Sequence, residues 1–147
     1  MEFIHFFTDT ATMCVFDPAA LRHRLDDEAD WWSVPREEVL EMNQGNVGFF
    51  GLGSDGKYVV KMDAILATER SVACHLKCPS GRIFVGAGEE VTGQGLEPEC
   101  VRGGMFIERV PGYYRIAVAR RGSYEIALHI TESLTAVNKF DSPVSID

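Results

Sequence analysis

The sequence predicts a mainly β protein, an antiparallel β-sandwich of about seven to nine short strands with one or two short helices inserted near residues 18–45. Two observations carry this prediction. From Asn46 onward, apolar residues alternate with polar ones, which is the period of a half-buried strand. Turn-forming residues interrupt these runs at intervals of about 8–12 residues, as they do in sandwiches.

The first strands are predicted from two β-branched and aromatic runs, Phe3–Phe7 and Thr12–Phe16, which are joined as a hairpin or a bent strand. Asp17-Pro18 then marks a helix start, because Asp is a good N-cap and Pro is favoured at the first helical position. A second helix is predicted to open at Ser33, with Pro35 in its first turn, and to end at Gly45.

The remaining strands follow in order. A turn at Gly53–Gly56 predicts a hairpin, and a turn at Pro79–Gly81 predicts a second one. The glycine-rich segment Gly86–Gly95 indicates a surface loop. The predicted strands of this half are Val47–Leu52, Tyr58–Met62, Val72–Cys78, Arg82–Val85, Met105–Val110, Tyr113–Arg120, Tyr124–Thr131 and a short Val144–Ile146.

Length and composition indicate one ordinary globular domain over residues 1–147, with 46% apolar and 24% charged residues. The apolar runs are far shorter than the roughly 20 residues that would span a membrane. The N-terminus has an acid where a signal peptide needs bases, so a cytoplasmic location is expected. The four cysteines are expected to be small buried hydrophobic residues in a reducing compartment.

Charge is distributed unevenly along the chain, whose net charge is −8. The segment Asp26–Glu41 holds seven acids against Arg36 alone, whereas Arg102–Arg121 holds five arginines against Glu108. An acidic protein is a poor ligand for nucleic acid, because phosphate binding depends on Lys and Arg. The electrostatic field of the net negative charge would instead steer a basic protein partner toward the chain.

Catalytic and metal sites are not predicted. In the motif Cys74-His75-Leu76-Lys77-Cys78 the two cysteines of a strand would lie about 13 Å apart, with His75 on the opposite face, so they cannot share one zinc ion. No nucleophile elbow or phosphate loop is present, and nothing favours a Cys–His pair. No cofactor is expected.

The acidic segment with two tryptophans is the predicted partner-binding site. Two adjacent tryptophans cannot both point inward from one regular helix or strand, so at least one is expected near the surface as an anchor for a basic partner. The alternative is that one Trp caps the sandwich and the acids only solubilise it. The residues of the predicted site are Asp26, Asp27, Glu28, Asp30, Trp31 and Trp32.

Two other functions use the same residues. A small-ligand or carbohydrate-binding sandwich would stack a sugar on Trp31 or Trp32. A hydrolase would use two of the neighbouring carboxylates as general acid and base.

The order of features resembles that of the competence-protein-J family, β-sandwich proteins that inhibit a DNA-entry nuclease. The resemblance rests on Gly45–Phe50, Tyr58–Val60, Met105–Val110 and the turn-strand Pro111–Ile116. The resemblance implies a sandwich fold and a protein that occupies a nuclease or toxin, as bacterial immunity proteins do. It does not include the helical insert and therefore implies no binding residue. We accordingly predict a non-catalytic inhibitor or immunity-type protein with a basic partner.

Overall fold

The computed structural model describes residues 3–27, 30–92 and 98–146. Within these ranges the chain forms nine strands arranged in two facing sheets, which confirms the predicted sandwich. The strands are β1 (Phe3–Thr8), β2 (Thr12–Phe16), β3 (Gly48–Gly51), β4 (Gly56–Met62), β5 (Ser71–Cys78), β6 (Arg82–Ala87), β7 (Met105–Glu108), β8 (Gly112–Arg120) and β9 (Glu125–Glu132).

The two sheets have the orders β1-β4-β9-β8-β5 and β3-β2-β6-β7. Neighbouring strands are antiparallel except β4 and β9, which run parallel. The direction of β9 is set by its tight hairpin with β8, and β4 then completes the sheet beside it. The five-stranded sheet is therefore mixed rather than fully antiparallel.

The predicted hairpins at Gly53–Gly56 and Pro79–Gly81 are wrong. Each turn carries the chain from one sheet to the other, since β3 and β6 belong to the four-stranded sheet and β4 and β5 to the five-stranded one. The β1–β2 turn crosses between sheets in the same way. Glycines with positive φ serve a crossing as well as they serve a hairpin, so turn chemistry does not distinguish the two.

The predicted helical insert is confirmed, but its described residues form three short helices rather than one or two. A 3₁₀ helix spans Pro18–Arg24, a single 3₁₀ turn spans Trp31–Ser33, and α1 spans Pro35–Asn43. Pro35 begins α1 as expected, although Val34 rather than Ser33 is its N-cap. None of the helices in the described ranges is long and apolar enough to cross a membrane.

The insert covers the outer face of the four-stranded sheet, so that this sheet is buried on both sides. Along β2, Met13 and Val15 face the other sheet, whereas Cys14 and Phe16 face the insert. The second core under the insert also contains Leu21, Trp31, Trp32, Met42, Val47, Phe49, Phe84 and Val91.

Two segments differ in part from the prediction. Gly86 and Ala87 are buried in β6, and Gly88–Thr92 forms a 3₁₀ helix with Glu90 buried, so the predicted surface loop is wrong there; residues 93–95 lie outside the described ranges. The short tail strand is reduced to a bridge between Ser145 and Gly51.

Asp17 joins the insert to the β5–β6 corner. Its fully buried carboxylate accepts hydrogen bonds from the backbone N–H of Ala19 at 3.0 Å, of Ser80 at 2.8 Å and of Gly81 at 3.1 Å. The Ser80 hydroxyl donates a further bond of 2.7 Å. One carboxylate thus caps the first helix and fixes a turn more than sixty residues away in the sequence.

Replacing Asp17 by Ala should lower the free energy of unfolding by about 2 kcal/mol, because the helix loses its cap and the N–H groups of Ser80 and Gly81, the second of them buried, lose their acceptor. Urea unfolding would measure the loss. Asp55→Ala removes an exposed turn carboxylate and should change stability by less than about 0.5 kcal/mol. Equal effects of the two substitutions would contradict the role assigned to Asp17.

Candidate functional site

The five described residues of the predicted site do not form one surface. Asp26 and Asp30 are exposed, and Glu28 lies outside the described residues. Asp27 is also exposed, but it accepts a hydrogen bond of 2.9 Å from Arg24. Trp31 and Trp32 are only 5% and 8% exposed.

The prediction that one tryptophan lies near the surface is therefore wrong. Both indoles pack against Phe49 of β3, with ring centroids 6.2 Å away for Trp31 and 5.7 Å away for Trp32. The opposite-faces argument applies to regular strands and α-helices. Here the pair occupies an isolated 3₁₀ turn lying on a sheet, so that both rings can reach the same phenyl ring.

A buried ionic network centred on Arg24 holds the insert together. The Arg24 guanidinium donates to Glu41 at 2.7 Å, to Asp27 at 2.9 Å and to Glu37 at 3.1 Å, and it lies 4.5 Å over the Trp31 ring. These bonds connect the first 3₁₀ helix to α1.

Glu41 is the most buried acid of this network. Burial by itself raises the pKa of Glu41, but hydrogen bonds from Asn46, Arg24 and His23 outweigh it, so the pKa is lowered below its usual value. The side chain is 2% exposed and therefore remains an anion in a closed environment. Glu41 thus serves the fold and offers no charge to a partner, whereas Asp27 and Glu37 are paired with Arg24 but remain partly exposed.

An open groove lies between the insert and the β1–β2 turn, with a volume of about 450 Å³. We call it the acidic groove. Among the described residues that line it, two are acids and no residue is Lys, Arg or His. It is lined by Thr10, Thr12, Asp30, Trp32, Ser33 and Glu38.

Glu38 is the unusual member of the acidic groove. Burial raises its pKa to about 7, and its carboxyl group makes no hydrogen bond or ion pair with another described residue. A carboxylate that loses water without gaining a protein partner is disfavoured as an anion. A cation placed in the groove would supply the missing partner.

The wall of the groove opposite α1 is held in place by Glu89. Its carboxylate accepts hydrogen bonds from the hydroxyls of Thr8 and Thr10 and from the backbone N–H of Asp9, each at 2.7 Å. Gly88 allows this close approach, because a Cβ there would lie 2.8 Å from the Thr12 methyl group. Glu89 therefore fixes the turn without itself lining the groove.

The motif Cys74–Cys78 has the strand geometry predicted for it. On β5, Cys74 and Cys78 face the core between the two sheets, whereas His75 lies on the outer face and contacts Ser133. Burial raises the pKa of both thiols to about 12, so they are not nucleophiles near neutral pH. Cys14 is also buried, but Cys100 is exposed, which contradicts the expectation for that residue.

Within the described ranges, no group of three or more His, Cys, Asp or Glu side chains is placed to hold a metal ion.

The arginines of the basic segment are largely engaged in the fold. Arg121 contacts Asp63 and Glu69 at 2.8 Å each, and Arg120 donates to the carbonyl oxygens of Leu52, Gly122 and Ser123. Hydrogen bonds from Arg121 lower the pKa of Asp63 and of Glu69. Arg102, Arg120 and Arg121 of this segment are thus paired within the fold, whereas Arg109 and Arg115 are exposed.

Sequence reasoning missed Glu38, Thr10 and Thr12 as groove residues. Glu38 was visible only as one acid among seven, and its burial depends on how α1 lies against the β1–β2 turn. The threonines carry no sequence signal of their own, because they reach the groove only through tertiary packing.

Comparison with known proteins supports the fold. Among solved structures, a protein described as crocagin biosynthetic gene J is 13% identical, with a TM-score of 0.53, covering 90% of this chain and 97% of that one. ComJ from Bacillus subtilis, described as an inhibitor of the DNA degrading activity of NucA, is 9% identical, with a TM-score of 0.53, covering 90% and 96%.

The fold resemblance predicted from the sequence is thereby confirmed. No curated protein matches the sequence at a significant level. A family model matches residues 1–146, and the chain accordingly belongs to DUF6386, a family of unknown function.

Proposed function

We propose that this chain is a non-catalytic binding protein that blocks a basic protein partner, a nuclease or a toxin. In this proposal the acidic groove takes a Lys or Arg side chain of that partner. The observation that carries it is the state of Glu38, a partly buried carboxyl group that lacks a partner among the described residues and lines an open groove. Such a group destabilises the free protein and is satisfied by an incoming cation.

Charge supports the same proposal. The chain carries a net −8, and Asp26 and Asp30 are exposed at the insert, where they would accelerate the approach of a basic protein. We assign Glu28 to the same steering role. Trp32 forms an apolar wall of the groove, Trp31 is buried beneath the insert, and Asp27 is paired with Arg24 at the surface.

The structural neighbour ComJ supports the class of partner. ComJ is described as inhibiting the DNA degrading activity of NucA, and nucleases present basic clefts built to hold phosphate. An acidic protein can occupy such a cleft in place of the nucleic acid. We therefore infer a nuclease as the first partner to test, and a toxin as the second.

The test uses the nuclease or toxin encoded beside this gene, or one retained from the native cell by the immobilised protein. The pure partner is titrated with this chain while its activity, for a nuclease the cleavage of plasmid DNA, is followed. Inhibition that is complete near one equivalent supports the proposal. A partner that stays fully active when it is saturated with this chain contradicts it.

Glu38→Gln distinguishes the groove from general acidity. It should weaken binding about tenfold at pH 8, because an ion pair becomes a neutral contact. Glu132→Gln removes the same charge from the exposed end of β9 and should change the affinity less than twofold. Equal losses for the two variants would place the site elsewhere.

Glu38→Gln should weaken binding, but it should not lower the stability of the free protein. Because the folded protein raises the pKa of Glu38 to about 7, the ionised side chain opposes folding. The stability that this group contributes is therefore lost as the pH rises from the ordinary pKa of a glutamate toward 7. Glu38→Gln should therefore unfold at no lower urea concentration than the parent at pH 8. A variant that loses both binding and stability would show a structural role instead.

A further inference from the structure

A second groove lies across β1 and β4 of the five-stranded sheet. The sheet register places His5 beside Val59 and Phe7 beside Lys57, and these pairs form its floor. The volume is about 480 Å³, within the range of roughly 300–1,000 Å³ typical of small-molecule sites. We call it the aromatic groove, and none of its residues lines the acidic groove.

The two walls of the aromatic groove are fixed by the fold. On one side, the backbone of residues 102–104 bonds to the edge of β1, with Phe7 N–H donating to the Arg102 carbonyl oxygen at 2.9 Å and Gly104 N–H to that of His5 at 2.8 Å. On the other side stands Tyr124, whose ring lies 5.2 Å from that of Tyr58. The groove is therefore preformed rather than created by a loose side chain.

Its surface is aromatic and poorly shielded from water. Tyr124 is 50% exposed and Phe7 is 38% exposed, whereas most aromatic residues of the chain are buried. Exposed aromatic side chains gathered along one concave surface are typical of binding sites.

The charge along the aromatic groove is opposite to that of the protein. Its described lining contains Lys57, His5 and Arg102 and no acid, although the chain carries a net −8. Arg102 is already paired, 3.4 Å from Glu89 and 3.7 Å from Glu90. Lys57 makes no ion pair or hydrogen bond with a described residue, and Glu125, opposite Val59 in the register, does not line the groove.

We propose that the aromatic groove binds a small aromatic molecule carrying one carboxylate, with the ring between Phe7 and Tyr124 and the carboxylate on the Lys57 ammonium group. Charge complementarity selects an anion, and the volume of about 480 Å³ suits a compact ligand. This site goes beyond the proposed function, because it shares no residue with the acidic groove and needs no protein partner.

The test is a titration followed by NMR with three matched probes: 2-naphthoate, the neutral 2-naphthamide and the cation 2-naphthylmethylamine. We expect 2-naphthoate to bind with a Kd below about 1 mM, at least about tenfold more tightly than the amide, and the amine to bind most weakly. The largest shifts are expected at the backbone N–H groups of His5, Val59 and Tyr124. Equal affinity for the three probes, shifts elsewhere, or no binding would overturn the proposal.

Variants separate the site from general charge. Lys57→Gln should weaken 2-naphthoate binding about tenfold, whereas Lys139→Gln, which removes an exposed lysine outside the groove, should leave it unchanged. Both variants should melt like the parent. Equal losses for the two variants would contradict the assignment. Much tighter binding of a peptide with alternating Asp and Phe than of 2-naphthoate would assign the groove to a protein partner and overturn the small-ligand proposal.

Discussion

Replacing Trp31 by Ala should lower the free energy of unfolding by about 3–5 kcal/mol, the usual cost of removing a large aromatic side chain from a packed core. The indole is 5% exposed, packs edge-on against Phe49 and lies under the Arg24 guanidinium. Its removal leaves a cavity between the insert and the four-stranded sheet and deprives Arg24 of its aromatic neighbour. Equilibrium unfolding in urea would measure the loss.

Two variants keep this prediction testable. Leu40→Ala shortens a side chain of the same insert that is 45% exposed and should cost less than about 1 kcal/mol. Trp31→Phe retains part of the packing and should fold even where Trp31→Ala does not, with a loss between those of the other two variants. If Trp31→Ala were as stable as Leu40→Ala, the buried position of Trp31 would be wrong.

Replacing Arg24 by Ala should also cost about 3–5 kcal/mol, because it leaves the Glu41 carboxylate buried without its main cationic partner. Asp27 and Glu37 lose the same partner, but they are more exposed and contribute less. Arg22→Ala is the matched control, since Arg22 lies exposed on the same 3₁₀ helix, and it should change stability by less than about 0.5 kcal/mol.

The pH dependence of the Arg24 variant checks the cause. In the parent, the lowered pKa of Glu41 contributes stability that is present above its ordinary value and is lost as pH falls. Without Arg24 the pKa of Glu41 should rise, so that Glu41 becomes protonated at a higher pH in the variant than in the parent. The difference in unfolding free energy between parent and variant should therefore be largest near pH 7 and shrink toward pH 4. A difference independent of pH would point to lost packing instead.

These two substitutions also bear on binding measurements at the insert. Arg24 ties the first 3₁₀ helix to α1, which carries Glu38 into the acidic groove. A variant of Arg24 or Trp31 that binds a partner poorly has therefore lost the position of the groove rather than a contact. Glu38→Gln avoids this ambiguity, because Glu38 makes no bond to another described residue that its loss would break.

Local signals in the sequence determined the class of the fold and the kind of each element. Alternating apolar residues identified the strands from β3 to β9, and Asp17-Pro18 identified the start of the insert. These features depend on neighbouring residues, through side-chain alternation, capping and the fixed φ of proline, and so can be read without knowing the fold.

Tertiary structure alone decided which strands share a sheet and which side chains meet. The turns at Gly53–Gly56 and Pro79–Gly81 have the composition of hairpins, yet they cross between sheets. The pairing of a strand depends on which arrangement buries its apolar side chains, and the turn residues alone do not determine it. Likewise, both tryptophans point inward because the insert must cover a sheet face that would otherwise expose Cys14, Phe16 and Phe49.

The candidate sites divide in the same way. The acidic character of the insert could be predicted from the sequence. Which of its acids lack an ion-pair or hydrogen-bond partner could not. Arg24 and Glu41 are seventeen residues apart, and only folding brings them within 2.7 Å. The same arginine pairs with Asp27 and Glu37, whereas Glu38 has no partner among the described residues. The net charge of a segment, and thus its long-range attraction for a partner, follows from the sequence. The burial and the pairing of each acid depend on side-chain packing, which exists only in the folded protein.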